Sequence, residues 1–587
     1  MRSPGWSILA LGVATAAAAQ STPERPSIGS AVKHVEVLDI RYLRRSLTDL
    51  GGTKGTICWF VSDDCPLVLR YMPRMRTLHR EFRSTGFAFA AVNVAPGDTV
   101  RSMATCAVDH RMPFPFLKDP ECALARACGV DRTNTVVVLD GKQRLCYRGR
   151  IDGSYRFSGA SPNPGRADLV EALRELSAGK PVSCSETSVE GCAITWPIEP
   201  RGDSLTFCRD IAPLVQRHCQ DCHRRDGAAP FALETFEDVA SRGQMVAEVV
   251  RQRRMPPWYA SDKYGKFANH RGLSEAEVRT LVGWVNSGMK QGDRNDLPKP
   301  RDFPKGEWRI GEPDLVLKLP QRIRLPSEGY VAYKYFVFPY QFKEDTWVER
   351  VEILPENRRV LHHANLASVR GFNYEQSGFI TGQVPGGDPM VLDPGTALLI
   401  PKGSVLAIQC HYVTTGKPEV DRLRIGLRFP RQVVQRRLHH IQVYNTRFKI
   451  PPHAPHHLVS RVRKIPFAAD GVGMFAHMHL RGTDMRFVAI EPDGTRRTLL
   501  LVPNYNFEWQ QSYRWHAGKV SFAPGTRIEV EAHYDNSKFN PFNPDPTRVV
   551  PHGDNTDDEM MWGFVFFLCQ GEALGLRIDP KTGHVLP

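Results

Sequence analysis

The stretch FAHMHLRGTDM, from Phe475 to Met485, holds two histidines separated by a single residue. Apolar and polar positions alternate around His477 and His479, which is the period typical of a β-strand. Because residues i and i+2 of a strand point to the same face, both imidazoles are predicted to be directed at one point. The stretch therefore predicts a metal-binding strand whose other ligands lie elsewhere in the chain.

The composition indicates a multidomain globular protein. The chain has 587 residues, far more than one core can organise, which predicts about three to five domains. The hydrophobic fraction of 41% is ordinary for such proteins. The formal charge of +14 comes without a dense Lys/Arg run, so we expect a basic surface and no nucleic-acid partner.

The N-terminus predicts export. Arg2 precedes an apolar run, Trp6–Ala19, that ends in three alanines. This is the pattern of a signal peptide over residues 1–19, cut before Gln20, and a membrane anchor is the alternative. No other stretch is long enough to span a bilayer. We expect a periplasmic or secreted protein with no stable membrane span, and the 13 cysteines fit an oxidising compartment.

Residues 35–180 predict an α/β domain. TICWFVSDDCP is a buried strand ending in Cys65-Pro66, and a helical stretch, Leu67–Phe82, follows it. Further strands are predicted over Phe87–Val94, Phe114–Asp119, Thr135–Asp140 and Tyr147–Gly153. This order of strand, cysteine and helix resembles the thioredoxin-like superfamily, and Ser62-x-x-Cys65 is nearer to its peroxiredoxin-like branch.

Cys65 is the candidate redox thiol of this domain. A helix N-terminus stabilises a thiolate and makes it nucleophilic. Asp63 and Asp64 precede Cys65 directly, so we expect them to raise its pKa instead. The proline that the family places before the next strand is replaced by Thr133-Asn134. Active thiol chemistry and a retained scaffold both remain open.

The partner of Cys65 cannot be read from the sequence. Cys106, Cys122 and Cys128 could each resolve a sulfenate. Cys184 and Cys192 lie close together in a loop, which makes them the most plausible disulfide pair.

Residues 204–293 predict an all-α cytochrome c-like domain. Cys219-x-x-Cys222-His223 is the motif that attaches haem c covalently, and a zinc or redox C-x-x-C is the alternative. A helical stretch precedes the motif, and a helix capped by Ser274 follows it. The sixth iron ligand should be a methionine, with Met255 on a Pro-containing loop preferred over Met245 or Met289.

After a Pro-rich linker, residues 294–310, the sequence becomes strand-rich with frequent turn signals. This pattern predicts antiparallel sandwiches, which we divide into residues 311–432 and 433–587. Histidines recur here in VLHHANL, LAIQCHYVTTG and FAHMHLRG, and TDDEMMWGFVFF follows near the end.

These motifs resemble, in order and type, those of the copper type II, ascorbate-dependent monooxygenases. This is the family of peptidylglycine alpha-hydroxylating monooxygenase and dopamine beta-hydroxylase. The resemblance implies two copper ions and insertion of one O2 atom into an activated C–H bond. It implies that His362, His363 and His411 hold the electron-accepting copper. It implies that His477, His479 and Met560 hold the oxygen-activating copper.

Ligand chemistry supports the same assignment. Imidazole suits both copper oxidation states, and thioether favours Cu(I). Zinc would more often have cysteine or carboxylate ligands. Met561 is the alternative to Met560. His533 is expected to be structural, and other histidines are expected at the surface or in a copper-acquisition site: His439, His440, His453, His456 and His457.

The sequence thus predicts an exported redox enzyme in which haem delivers electrons to the His362/His363/His411 copper. The expected partners are a small-molecule or peptide substrate, O2 and an external electron donor. Arg370 and Arg481 are candidate anchors for a substrate carboxylate. A non-catalytic electron-transfer or copper-binding protein and a Cys65-centred peroxidase are the alternatives.

Overall fold

The computed structural model describes residues 25–40, 43–50, 52–157, 159–161, 164–197, 205–225, 227–303, 306–370, 378–384, 387–538, 540 and 542–587. The predicted signal peptide, residues 1–19, lies outside them. Within these ranges, no helix has the length and apolar character that crossing a membrane requires.

The N-terminal region is a thioredoxin-like α/β domain. Its mixed sheet has the strand order β2-β1-β5-β4-β3-β6-β7, in which β4 runs parallel to both β3 and β5. A small hairpin, β8–β9, follows the sheet. The elements are β1 (Val37–Asp39), β2 (Arg44–Arg45), β3 (Gly55–Val61), α1 (Pro66–Phe82), β4 (Phe87–Asn93), α2 (Val100–Asp109), β5 (Phe116–Lys118), α3 (Ala123–Ala127), β6 (Val136–Asp140), β7 (Leu145–Gly149), β8 (Tyr155–Arg156), β9 (Gly159–Ala160) and α4 (Asp168–Ser177), with 3-10 turns at Leu47–Leu50 and Arg83–Thr85.

The central strand and the helix after it place Cys65. All seven residues of β3 are buried, as the apolar run predicted. Cys65 is the N-cap of α1, and Pro66 occupies its first turn, where a missing N–H costs nothing. The predicted strand–cysteine–helix order of this region is confirmed.

The chain keeps packing on this sheet beyond residue 180. The backbone of Arg148 forms an isolated β-bridge with Glu186, and that of Arg132 forms one with Ala193. The Ile194 side chain enters the core beneath β6 and β7. The segment after α4 is therefore part of the surface that surrounds Cys65.

A helical region follows. Its core is built around Trp284, which is fully buried. Ser274 caps the last helix in a capping box with Glu277, as predicted. The elements are a π-helical turn (Phe207–Ile211), α5 (Ala212–His218), α6 (Phe236–Ala240), α7 (Gly243–Arg251) and α8 (Glu275–Asn286), and a 3-10 turn (Arg294–Asp296) follows.

The remainder of the chain is β-rich. Its larger sheets have the orders β10-β21-β14-β17, β12-β19-β15-β16, β13-β18-β22-β32-β25-β28 and β24-β30-β26-β27. The strands are β10 (Leu315–Lys318), β11 (Ile323–Leu325), β12 (Lys334–Gln341), β13 (Thr346–Val348), β14 (Arg350–Pro355), β15 (Leu361–Val369), β16 (Gly378–Gln383), β17 (Met390–Val391), β18 (Thr396–Ile400), β19 (Val405–Tyr412), β20 (Glu419–Asp421), β21 (Leu423–Arg428), β22 (Arg436–Tyr444), β23 (Lys449–Ile450), β24 (His457–Lys464), β25 (Ala469–His477), β26 (Gly482–Ile490), β27 (Arg496–Val502), β28 (Ser512–Arg514), β29 (Ser521–Phe522), β30 (Arg527–Tyr534), β31 (Val550–Pro551) and β32 (Trp562–Cys569), with a 3-10 turn at Phe507–Trp509.

Two strands pair across the predicted boundary between the sandwich halves, and the division into two domains stays a prediction. Strand β18 of the first half pairs parallel with β22 of the second, through Thr396 opposite Arg436. The sheet therefore continues across the predicted boundary at residues 432 and 433. Parallel neighbours need a long connection, which alternation within single strands cannot reveal.

The thioredoxin-like domain docks on the first β half through α1. The buried Arg70 donates from Nε to the carbonyl of Thr414, 3.1 Å away, just beyond β19. A Cβ added at Gly416 would lie only 1.8 Å from the carbonyl oxygen of Leu69. The two modules thus meet at a close backbone contact.

This contact can be tested with a matched pair of substitutions. Gly416→Ala should lower the melting temperature and increase cleavage between the modules in limited proteolysis, because Leu69 must move away. Gly403→Ala is the control, since Gly403 has nearly the same φ (+82° against +84°) and nothing near its Cβ position. Positive φ alone strains both variants by about 1–2 kcal/mol. Equal loss of stability in the two variants would contradict the close contact.

Candidate functional site

Three of the predicted histidines come together in the first β half. His362 and His363 lie on β15 and His411 on β19, with His363 directly opposite His411. One ring nitrogen from each of the three lies within 4.8 Å of the other two. We refer to them as the three-histidine cluster.

The ring orientations indicate which nitrogens face one another. The Nδ1 atoms of His362 and His363 are 3.2 Å apart, and the buried Nδ1 of His411 has no hydrogen-bond partner among the described residues. The Nε2 atoms point outward: that of His362 is 2.6 Å from Oε2 of Glu508, and that of His363 is 3.0 Å from Oη of Tyr333. Such outer partners orient metal-binding imidazoles and strengthen them as donors. The cluster therefore fits one metal ion held through Nδ1 atoms.

The HMH strand forms a second cluster. The rings of His477 and His479 lie 5.3 Å apart. The Nδ1 of His477 is 2.5 Å from Oε1 of Gln510, and the Nδ1 of His479 is 3.1 Å from the carbonyl of Asp558. These acceptors hold the proton on Nδ1, which leaves each Nε2 with a lone pair for a metal.

The register of β25 and β32 separates the two candidate methionines. His477 is opposite Trp562, and continuing this antiparallel register sets His479 opposite Met560. Met478 and Met561, the next residues along, both belong to the hydrophobic core. Extending the alternation of a sheet beyond the ends of both strands predicts that Met560 faces the histidine side. Its role as a ligand stays a prediction.

Burial favours the neutral imidazole of His363 and His411 in the first cluster and of both histidines in the second. It lowers the pKa of His411 and of His479 to about 3, and it holds that of His363 well below its usual value. The pKa of His477 is also lowered by burial. A neutral imidazole with a free lone pair is the form that binds copper or zinc, so the donor set fits a metal.

A segment that sequence reasoning left without a role lies between the clusters. We call residues 505–511 the bridging segment. The ring centroid of Phe507 is 5.4 Å from His363, 6.3 Å from His411 and 5.9 Å from His479. The neighbouring Glu508 and Gln510 contact one cluster each. The run NFEWQQ had an unusual density of polar and aromatic residues, but no local pattern connects such a run to distant histidines.

The haem motif has one feature that fits its predicted use. The Nδ1 of His223 is 3.1 Å from the carbonyl of Phe231, which leaves Nε2 for an axial bond. Burial lowers the pKa of His223 to about 4. Cys219 and Cys222 lie half-buried beside it and are not joined in a disulfide.

The predicted axial methionine lies on a loop that leads to the bridging segment. Met255 follows α7, and two residues later the carbonyl of Pro257 accepts a 2.8 Å hydrogen bond from Nε2 of Gln511. The Nδ2 of Asn506 lies 3.3 Å from Oη of Tyr259. Of the alternatives, Met245 is on α7, and Met289 packs its sulfur against Gly243. Iron ligation by Met255 remains a prediction.

The structure changes the expectations for Cys65. The predicted Cys184–Cys192 disulfide is absent, since both residues are free thiols. Instead the Sγ atoms of Cys65 and Cys192 are 3.5 Å apart. The predicted rise in the Cys65 pKa is also wrong: hydrogen bonding from Cys192 lowers it to about 7 against burial, and Asp64 raises it only slightly. The Asp64 carboxylate is paired with Arg242 at 2.5 Å.

Other predicted residues have structural roles. His456 and His533 stack with centroids 4.0 Å apart and planes inclined by 17°, and Asp484 lies beside them. Lone pairs in nearly parallel planes do not converge on one ion. Arg481 is fully enclosed and donates to Asn536, so it is closed to a substrate carboxylate.

A cavity of about 1140 Å³ lies between the helical region and both β halves. Phe475 and Gln510 line it, together with Arg271 and Arg309. Phe475 lies on the same face of β25 as His477. The cavity therefore approaches the second cluster from the side of the helical region.

Comparison with known proteins identifies one part of the chain. Residues 28–150 match the AhpC/TSA family model. Similar solved structures include a hypothetical protein from Sinorhizobium meliloti (23% identity, 30% of this chain and 97% of that chain, TM-score 0.28). They also include an uncharacterized conserved protein from Geobacillus kaustophilus (24%, 30% and 94%, TM-score 0.27) and a peroxidoxin from Mycobacterium tuberculosis (22%, 26% and 96%, TM-score 0.21). No curated protein matches the chain. The N-terminal region is thus a redoxin domain, which indicates oxidoreductase-type activity.

The contact between Glu508 and His362 leads to a prediction. Glu508→Gln keeps the size of the side chain but removes the charge that strengthens His362 as a donor. We expect Cu(II) affinity of the three-histidine cluster to fall about 10–100-fold. A competition titration in a His479→Ala background, read with the Cu(II) electron paramagnetic resonance spectrum, measures it.

Glu572→Gln is the matched control, because Glu572 lies 3.5 Å from His439, outside both clusters. It should leave the affinity and the spectrum unchanged. Equal affinity in the Glu508 and Glu572 variants would show that the carboxylate does not act on the metal site.

Proposed function

We propose that the chain is an exported redox enzyme with a copper-dependent monooxygenase module, which hydroxylates an activated C–H bond with O2. A covalently bound c-type haem supplies its electrons. The observation that supports this proposal best is the orientation of the histidine rings. In His362, His363, His477 and His479, one ring nitrogen already contacts an oxygen of the protein, and the other is left for a metal.

The two clusters have different donor sets. His362, His363 and His411 would hold one copper, and His477, His479 and Met560 would hold the other. When bound, copper supplies electron storage at the first set and O2 activation at the second, where a thioether favours Cu(I). The ring of Phe507 lies between the two clusters, and the nearby cavity can admit a small-molecule or peptide substrate.

The haem proposal depends on Cys219, Cys222, His223 and Met255. The thiols would attach the haem, and His223 and Met255 would be its axial ligands. The loop that carries Met255 continues into the hydrogen bond between Pro257 and Gln511. This contact supports delivery of electrons from the haem toward the clusters.

The alternative is a non-catalytic electron-transfer or copper-binding protein. Catalysis needs an open coordination position, whereas an electron-transfer site is closed. His477, His479 and Met560 offer three donors, which leaves room for O2. A thiol peroxidase-like activity is a further alternative, and the match of residues 28–150 to the AhpC/TSA family favours thiol chemistry at Cys65.

Haem and metal analysis tests the cofactors directly. The purified exported protein should contain covalent haem c and bind two coppers. Cys222→Ala should weaken the covalent link, so that more haem extracts into acidic organic solvent. Met255→Ala should convert a low-spin spectrum to one with an open sixth position. Wild-type haem that extracts freely, or a protein that holds zinc and no copper after copper loading, would contradict the proposal.

Paired methionine variants test the proposed catalytic site. Met560→Ile keeps the volume and apolar character, and such swaps usually cost under about 1.5 kcal/mol. It should retain the haem spectrum and the three-histidine copper but lose nearly all reductant-dependent O2 uptake coupled to substrate. Met561→Ile, a core substitution, should keep most of that uptake. The reverse result would exchange the two methionines, and full activity in both variants would remove the thioether from the site.

A further inference from the structure

The segment after α4 reaches back to the thiol site. We call residues 190–195 the returning segment. Its backbone pairs with the loop before β6: Thr133 donates its N–H to the carbonyl of Cys192, and Ile194 donates to that of Asp131, both at 2.9 Å. A Cβ at Gly191 would lie 1.9 Å from the carbonyl oxygen of Thr133, so a larger residue could not approach so closely. The returning segment therefore occupies the edge beside Cys65 as an added strand would.

Thr133 contacts both cysteines. Its hydroxyl lies 3.4 Å from Sγ of Cys65, and it accepts the N–H of Cys192 at 3.0 Å. The Cys192 thiol itself points at Cys65, with 3.5 Å between the sulfurs. Thr133 stands where the family has a proline, and a proline could neither donate its N–H nor offer a hydroxyl.

The two thiols differ in acidity. Hydrogen bonding from Cys192 and from Thr133 lowers the pKa of Cys65, and the same contact with burial raises that of Cys192 well above its ordinary value. Cys65 is therefore the more acidic thiol, and Cys192 is its hydrogen-bond donor. A thiolate is the form that attacks peroxides and disulfides.

The surroundings close this pair to large partners. Cys65 is only 1% exposed. The returning segment covers one side, and Arg242, the N-cap residue of α7, covers another by pairing with Asp64. A protein disulfide cannot reach the sulfur in this arrangement, whereas a molecule the size of hydrogen peroxide needs little space.

We propose that Cys65 and Cys192 are a dithiol–disulfide couple, in which the returning segment supplies the resolving thiol and restricts the oxidant to small hydroperoxides. The Cys65 thiolate attacks a peroxide oxygen, the O–O bond breaks, and the leaving hydroxide or alkoxide takes up a proton. The product is Cys65 sulfenic acid. Cys192 then attacks that sulfur, an S–S bond forms, and water leaves with the proton of the Cys192 thiol. One peroxide is reduced by two electrons, and one disulfide is formed.

The other cysteines are less suited to this role. Cys122 and Cys128 belong to the core on the opposite face of the sheet. Burial raises the pKa of Cys106 to about 12. Cys184 directs its thiol at the carbonyl of Glu186, 3.6 Å away. The geometry favours Cys192 over all four.

Disulfide mapping tests the couple in the full-length protein. The reduced protein is treated with one equivalent of hydrogen peroxide, alkylated, digested without reductant and analysed by mass spectrometry. We expect a peptide linked through Cys65 and Cys192. Cys192→Ser should instead accumulate Cys65 sulfenic acid, trapped by dimedone, and Cys184→Ser should give the same linked peptide as the wild type.

Two results would overturn the proposal. The first is the wrong disulfide pattern after peroxide treatment: Cys65 linked to a cysteine other than Cys192, Cys184 linked to Cys192, or no disulfide. The other is reduction of insulin disulfides by the reduced protein as fast as peroxide is consumed, because this would require an open thiol site. The Cys65–Cys192 link would support Cys192 as the resolving thiol, and the absence of insulin reduction would support the restriction to small hydroperoxides.

Discussion

The short contact between Glu508 and His362 joins the two β halves at the point where the proposed chemistry takes place. A carboxylate removed from water needs a partner, because an unpaired buried charge costs several kcal/mol. His362 is its nearest partner: burial raises the pKa of Glu508, and attraction to His362, His411 and Arg70 together lowers it below its ordinary value. The three-histidine cluster is therefore formed by residues of the first half and oriented by a residue of the second. Without the second half, the three histidines would lack the carboxylate that contacts His362.

The helical region and the redoxin domain both contact the part of the β region around the three-histidine cluster. The bridging segment accepts the loop after α7 through Gln511, and it belongs to a core that also contains Trp258 of the helical region. On the opposite side, Arg70 of the redoxin domain binds the backbone just beyond His411. Arg70 lies within electrostatic range of both Glu508 and Cys65. Burial lowers the pKa of Arg70, and the negative charges of Glu508 and Cys65 raise it. The candidate redox centres thus converge instead of being separated by linkers.

The parts of this arrangement that the sequence predicted are local ones. The strand–cysteine–helix order around Cys65, the cap at Ser274 and the common face of His477 and His479 depend on residues a few positions apart. Periodicity and capping report such relations well. The contacts that were missed are long-range: Cys192 is 127 positions from Cys65, and Arg242 is 178 positions from Asp64. A charge next to a thiol looked decisive in the sequence, but its distant partner neutralises it in the fold.

The redoxin domain and the first β half are joined by specific contacts as well as by the chain between them. If the modules only exchanged electrons by diffusion, a flexible linker between them would be sufficient. The close backbone contact at Gly416 would then not be needed. Instead, α1 begins at Cys65 and, within two turns, uses Arg70 to hold the loop that follows His411. A rearrangement at the thiol pair that moves α1 would act on this loop directly, because packed interiors transmit displacement rather than absorb it. The helix that carries Cys65 and the strand that carries His411 are therefore joined by a packed contact through Arg70 and Thr414.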